Sequence, residues 1–239
     1  MKGIIFDFNG TLFWDSQLHY DAWRIFSEKL RGYPFTDDEM RNHMFGRTNK
    51  DIITYCTGKV PSDELVEKLA NEKESLYREQ CLKDKEHFKL APGAVEFLDW
   101  LVENNIPRTI ATMSEWQNVE FYIKEFNLER WFDLDKIVYS NGKIKGKPDP
   151  EIYTIACKNL NLSPQDCVVI EDAISGLESA HRANIGKIIA IASLESHELY
   201  KQFDYIYQII DGFEEIDKLL FRGKYNKAIS SLSRQSRQF

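Results

Sequence analysis

The stretch Gly3-Ile4-Ile5-Phe6-Asp7-Phe8-Asn9-Gly10-Thr11-Leu12 is a short run of strand-forming apolar residues that stops at a carboxylate and a Gly-Thr turn. Such a run reads as a strand buried on both faces of a parallel sheet, and its polar end falls at the carboxyl edge, where open α/β sheets bind ligands. Asp7 stands at that edge. Asn9, two residues on, points to the same side.

Beyond this strand, residues 14–88 carry helical spacing and no convincing strand. Leu18, Ala22, Ile25, Phe26 and Leu30 make one helical face, and Thr36, three residues ahead of Glu39, forms a capping box. A longer helix starts near Ser62 after Pro61, with Leu65, Leu69 and Leu76 expected inside and Glu64/Lys68, Glu74/Arg78 and Glu79/Lys83 at ion-pair spacing. The asymmetry predicts an all-helical insert.

The pattern changes at Leu90-Ala91-Pro92-Gly93. A helix face of Val95, Leu98, Leu101 and Val102 leads to a strand at 108–112, and Val119, Tyr122, Ile123 and Phe126 mark the next helix before a strand at 136–139. Asp149 as N-cap and Pro150 at the first helical position open another helix through Ile152, Ile155 and Ala156. A buried strand at 167–170 ends in Glu171-Asp172, followed by a helix containing Gly176 and a strand at 187–191. Repeated βα units predict the α/β class, with a doubly wound, Rossmann-like parallel sheet. The core domain is expected at 1–13 and 89–223, the helical insert at 14–88, and the basic, Ser-rich stretch 224–239 as a flexible tail.

A net charge of -7 and a pI near 5.4 argue against a nucleic-acid footprint, which needs basic surface. Cys56, Cys81, Cys157 and Cys167 lack the spacing of a zinc site or disulfide framework and read as buried thiols. The apolar N-terminal run is too short to span a bilayer and is broken by Asp7. The expectation is a cytoplasmic protein, a monomer or weak homo-oligomer, with neither nucleic acid nor membrane as partner.

Four strand ends carry polar groups that a doubly wound sheet brings into one crevice: Asp7, Thr112, the Lys147 region and Glu171-Asp172. Together they describe a phosphoryl-transfer site. Asp7 would supply the attacking oxygen, and Mg²⁺ would bridge it to the phosphate, held through the oxygens of Glu171 and Asp172. Lys147 would add fixed positive charge. The Thr112 hydroxyl and the backbone N–H groups of Met113 and Ser114 would receive phosphate oxygens.

On these residues the chain resembles the haloacid dehalogenase superfamily, in particular the β-phosphoglucomutase-like phosphatases and mutases. Asp7-Phe8-Asn9-Gly10-Thr11 matches the first motif, D-x-D-G-T; Ile110-Ala111-Thr112, Lys147-Pro148-Asp149-Pro150 and Glu171-Asp172 match the second, third and fourth. The resemblance implies that the helical insert caps the active site. It implies substrate contacts from the turn Gly10-Thr11, from Met113 and Ser114, from His19 in the H-x-x-A-W match His19-Tyr20-Asp21-Ala22-Trp23, and from Gly46-Arg47-Thr48. It also implies a metal ligand in the backbone carbonyl of residue 9, which Asn9 retains. His19, on a helix with apolar neighbours, reads equally well as a packed core residue.

Asn9 replaces the family's second aspartate, which acts as general acid and base. That help is worth about 10²- to 10⁴-fold. The implied activity is a Mg²⁺-dependent phosphatase of a small, sugar-phosphate-like metabolite, acting through an aspartyl-phosphate on Asp7 and slowed by Asn9. The alternatives are a β-phosphoglucomutase-type phosphomutase and an impaired phosphate-ester binder. A mutase depends more heavily on the missing acid.

Overall fold

Strand β1 (Gly3–Phe6) is buried along its whole length, as an all-apolar central strand must be. The computed structural model describes residues 1–44, 47, 49–193 and 195–224, apart from the side chains of residues 41, 42 and 222–224. The chain forms two units, Met1–Phe13 with the chain from Leu90 onward, and Trp14–Lys89.

The second unit is helical among its described residues. Helix α1 (Ser16–Arg31) buries Leu18, Ala22, Trp23 and Phe26 and ends on Gly32, whose φ of 88° suits the left-handed C-cap. Helix α2 (Asp37–His43) opens with the expected capping box between Thr36 and Glu39. Helix α3 (Asn49–Thr57) is absent from the sequence reading because its buried face, Ile52, Ile53 and Cys56, spans barely more than a turn. Helix α4 (Asp63–Lys83) starts where expected, with the Ser62 hydroxyl accepting from Leu65 N. Its buried face differs from the expected one. Ala70, Lys73, Tyr77 and Cys81 point inward, while Leu65 is exposed and Leu69 and Leu76 are half-buried. A lysine in the inward stripe disguised it as a polar face.

In the first unit, β1 is followed by α5 (Ala94–Glu103), β2 (Arg108–Glu115), α6 (Trp116–Phe126), β3 (Val138–Ser140), α7 (Glu151–Asn159), β4 (Cys167–Glu171), α8 (Ile174–Arg182), β5 (Lys187–Ile191), α9 (His197–Tyr200) and β6 (Ile206–Ile210). The six strands are parallel in the order β3-β2-β1-β4-β5-β6. Phe6 pairs with Ile110 on one side and Ile170 on the other, so β1 and β4 flank the point where strand order reverses.

Alternate β1 side chains seed two cores. Ile5 packs with Tyr153, Ala156 and Cys157 of α7 and Leu177 and Ala180 of α8. Phe6 faces the opposite way, with its ring 6.3 Å from Phe97 of α5 and 6.0 Å from both Phe132 and Phe213. Each fully buried side chain of this kind contributes about 1.5–3 kcal/mol. The expected strand at 136–139 starts later, because Leu134–Lys136 forms a 3₁₀ turn. Pro150 occupies the N-cap of α7 rather than its first turn, and the Asp149 carboxylate still accepts from Glu151 N at 3.0 Å. The unforeseen edge strand β6 is half-exposed, short and weakly patterned.

Candidate active site

The reversal of strand order places the ends of β1 and β4 side by side, and Asp7 N donates to Ile170 O at 3.0 Å. From the turn between β3 and α7, Lys147 reaches across both strand ends. Its Nζ donates to Asp7 Oδ1 at 2.6 Å and to Glu171 Oε1 at 2.5 Å. The three side chains are 8%, 8% and 1% exposed, so these are contacts of a dry interior and not surface ion pairs. Glu171 is held further by the Tyr153 hydroxyl at 3.1 Å and by Ala173 N, which donates to Oε2 at 2.7 Å. Asp172 accepts from the Thr11 hydroxyl at 2.9 Å.

Two glycines make room for these carboxylates. Gly10 has φ +79°, and a Cβ there would lie 2.2 Å from Asp172 Oδ2. A Cβ on Gly176, in α8, would lie 1.7 Å from Glu171 Oε1. Side chains at either position would displace the acids.

Burial pulls the Lys147 ammonium toward neutrality, but Asp7 and Glu171 outweigh it and hold Lys147 well above its ordinary pKa. Burial, then the charges of Glu171 and Asp7, push Asp172 well above the carboxylate range. Ligand oxygens of Asp7, Glu171 and Asp172 lie within 4.8 Å of one another. An all-oxygen donor set with surplus negative charge fits a hard divalent cation.

Asn9 is tied into a second cluster. Its Nδ2 donates to the Tyr122 hydroxyl at 2.8 Å, and its Oδ1 accepts from Ser114 Oγ at 2.6 Å and Thr112 Oγ1 at 3.3 Å. Ser114 N donates to Thr112 Oγ1 at 3.1 Å. Tyr122 is fixed by stacking on Phe8, with ring centroids 4.5 Å apart. The Thr112 hydroxyl, expected to face phosphate, here serves Asn9.

Residues 1–184 match the haloacid dehalogenase-like hydrolases. The chain belongs to that family. It is 29% identical over 191 residues to the phosphorylated carbohydrates phosphatase of Thermotoga maritima, covering 80% of this chain and 85% of that protein. It is 27% identical over 194 residues to the β-phosphoglucomutase of Bacillus subtilis, covering 77% and 81%. The crystal structure of a family IA, variant 3 hydrolase from Entamoeba histolytica HM-1:IMSS superposes with a TM-score of 0.87 at 41% identity, covering 92% of this chain and 97% of that one.

In this haloacid dehalogenase-like hydrolase, the geometry gathers Asp7, Lys147, Glu171 and Asp172 into one cluster and Asn9, Thr112 and Ser114 into the next. Met113 is half-buried between the two hydroxyl residues. His19 belongs to the helical unit: its ring stacks on Tyr77 at 3.9 Å, with Nε2 3.2 Å from Asp15 Oδ2 and Nδ1 3.1 Å from Lys73 Nζ. Arg47 is exposed, with its backbone N–H donating to Met44 O. Gly46, Thr48 and residues 225–239 lie outside the described residues. Tyr153, Lys73 and Asp15 are absent from the sequence expectations, and Tyr122 figures there only as part of a helix's apolar face. Tyr153 adjoins Ile152 on a face read as core, but its acceptor is 18 residues away and carries no local signal. Among the described residues no helix is long and apolar enough to cross a membrane.

Proposed function

We propose that this chain, a phosphoric monoester hydrolase, releases phosphate from a small phosphorylated carbohydrate through an aspartyl-phosphate on Asp7. The observation that carries the reading is Lys147 Nζ bonded at once to Asp7 and Glu171, with Asp172 alongside, at the reversal point of the sheet. Asp7, Glu171, Asp172 and the Asn9 carbonyl would hold Mg²⁺, which when bound neutralises phosphate charge and orients the ester.

Asp7 Oδ attacks phosphorus, the P–O bond to the sugar breaks, and the electron pair leaves with the alkoxide. Lys147, bonded to Asp7 Oδ1, offsets charge on the phosphoryl oxygens. The Thr112 and Ser114 hydroxyls turn from Asn9 Oδ1 to the phosphate when substrate enters. Asn9 has no proton to give, so the alkoxide takes one from water. A second water then attacks phosphorus, returning Asp7 as a carboxylate and releasing inorganic phosphate. Both proton transfers lack a side-chain relay, which makes slow turnover the expected behaviour.

The carbohydrate class is carried over from the name of the Thermotoga relative. Asn9 favours hydrolysis over the phosphoglucomutase reaction, because a mutase must move substrate protons twice per cycle. The test is phosphate release from acetyl phosphate, whose leaving group needs little protonation. Mg²⁺-dependent release is expected, with loss of activity in Asp7→Ala. Undiminished release by that variant would remove Asp7 as nucleophile.

A further inference from the structure

Helix α7 packs Ile152, Tyr153, Ala156 and Cys157 into the core around Ile5 and Leu177, and Tyr153 is wholly buried there. A phenylalanine ring would fill the same space. Packing therefore does not account for the hydroxyl, since burying a polar atom costs about 1–3 kcal/mol unless it is hydrogen-bonded. Its partner is the acid at the end of β4: Oη donates to Glu171 Oε1 at 3.1 Å, and the direction follows because an ionised carboxylate only accepts. The ring has a separate contact, with Lys147 Nζ 5.1 Å from its centroid, which a phenyl group would keep.

The last torsion of a glutamate side chain is soft, so hydrogen bonds must set the plane of its carboxylate. A carboxylate has about four acceptor sites, two on each oxygen. Lys147 Nζ and Tyr153 Oη take those of Oε1, and Ala173 N takes one on Oε2 at 2.7 Å. Among the described residues, one site on Oε2 is left for a cation. Of the three donors, Lys147 is shared with Asp7 and Ala173 N is main chain, which leaves the Tyr153 hydroxyl as the side-chain group given over to Glu171. Resting on the phosphatase reading above, we infer that Tyr153 is a positioning residue for the metal, its hydroxyl holding the Glu171 carboxylate in the orientation that binds the cation together with Asp7 and Asp172.

The test is calorimetric titration of the metal-free protein and of Tyr153→Phe with Mg²⁺, paired with kcat on acetyl phosphate at saturating Mg²⁺. Removing an outer hydrogen-bond partner of a metal ligand costs about 10- to 100-fold in affinity, so the Mg²⁺ Kd should rise about tenfold or more. At saturating Mg²⁺, kcat should stay within about threefold of the parent, because Asp7, Lys147 and the ring beside it are unchanged. An unaltered Mg²⁺ Kd would overturn the inference and leave the phosphatase reading standing. So would a fall in kcat as large as the loss of affinity, which is what a loosened core would produce. If the parent itself binds no Mg²⁺, the metal-dependent reading fails, and the role of Tyr153 with it.

Discussion

Gly176→Ala places one methyl group where the site has no room. The new Cβ would sit 1.7 Å from Glu171 Oε1 and 2.0 Å from its carboxyl carbon, against an ordinary carbon–oxygen contact of about 3.3 Å. The carboxylate would have to retreat by about 1.6 Å. It cannot do so and keep its hydrogen bonds to Lys147 Nζ at 2.5 Å, Tyr153 Oη at 3.1 Å and Ala173 N at 2.7 Å. Overpacking costs about 1–3 kcal/mol, and hydrogen bonds to a charged group are worth about 1.5–3 kcal/mol each. With partial relaxation of α8, a loss of about 3 kcal/mol is expected. For a chain of this length that lowers Tm by about 6–12 °C. Thermal unfolding followed by circular dichroism reads the shift, and the Mg²⁺ concentration for half-maximal activity should rise in parallel as a metal ligand is displaced. Gly146→Ala is the control, since a Cβ there meets nothing within 4 Å and no positive φ is involved. If Gly176→Ala melts within about 1 °C of the parent with unchanged Mg²⁺ dependence, Glu171 is neither as confined nor as involved in metal binding as described.

Other substitutions separate the roles. Lys147→Met should lower kcat on acetyl phosphate by about 10²- to 10³-fold at saturating Mg²⁺, as expected for removing one fixed charge from the transition state; a fall in affinity alone, with kcat intact, would contradict that role. Asn9→Asp should speed release of the leaving group in a single turnover by about 10²- to 10⁴-fold for alkyl phosphates and far less for acetyl phosphate, and equal gains on both would remove the acid–base account. In the helical unit, the Arg31 guanidinium grips Glu39 through two contacts of 2.8 Å and holds its carboxyl far below the ordinary value of 4.5. The folded state therefore binds fewer protons at Glu39 than the unfolded chain, so the stability this pair contributes is present above about pH 4.5 and lost as pH falls. Urea midpoints of Glu39→Gln should fall less steeply below about pH 4.5 than those of the parent; parallel curves would show that the pair contributes nothing.

The α/β class could be read because β1 and β4 are uninterrupted apolar runs that end in acids, a pattern that buried parallel strands impose directly on sequence. Asp7, Lys147, Glu171 and Asp172 could be placed together because a doubly wound sheet brings strand ends to one edge whatever their separation in the chain. What could not be read depends on side chains meeting across elements. Tyr122 looks like a core aromatic until its hydroxyl is seen against Asn9, and Lys73 hides the inward face of α4 by standing in it. Spacing places Thr112 at a strand end but cannot reveal that its hydroxyl also donates to Asn9 Oδ1 at 3.3 Å. Strand β6 lacked the apolar run because an edge strand needs only one buried face.

The central claim is that Asp7 is the phosphoryl acceptor. Because Asn9 cannot activate the water of the second step, the phosphorylated form should accumulate during turnover. Rapid acid quench during acetyl phosphate hydrolysis, followed by peptide mass spectrometry, should find the mass of one phosphoryl group on the peptide containing Asp7, absent when Mg²⁺ is withheld. Steady phosphate release with that peptide unmodified, or with the label on another residue, would contradict the account.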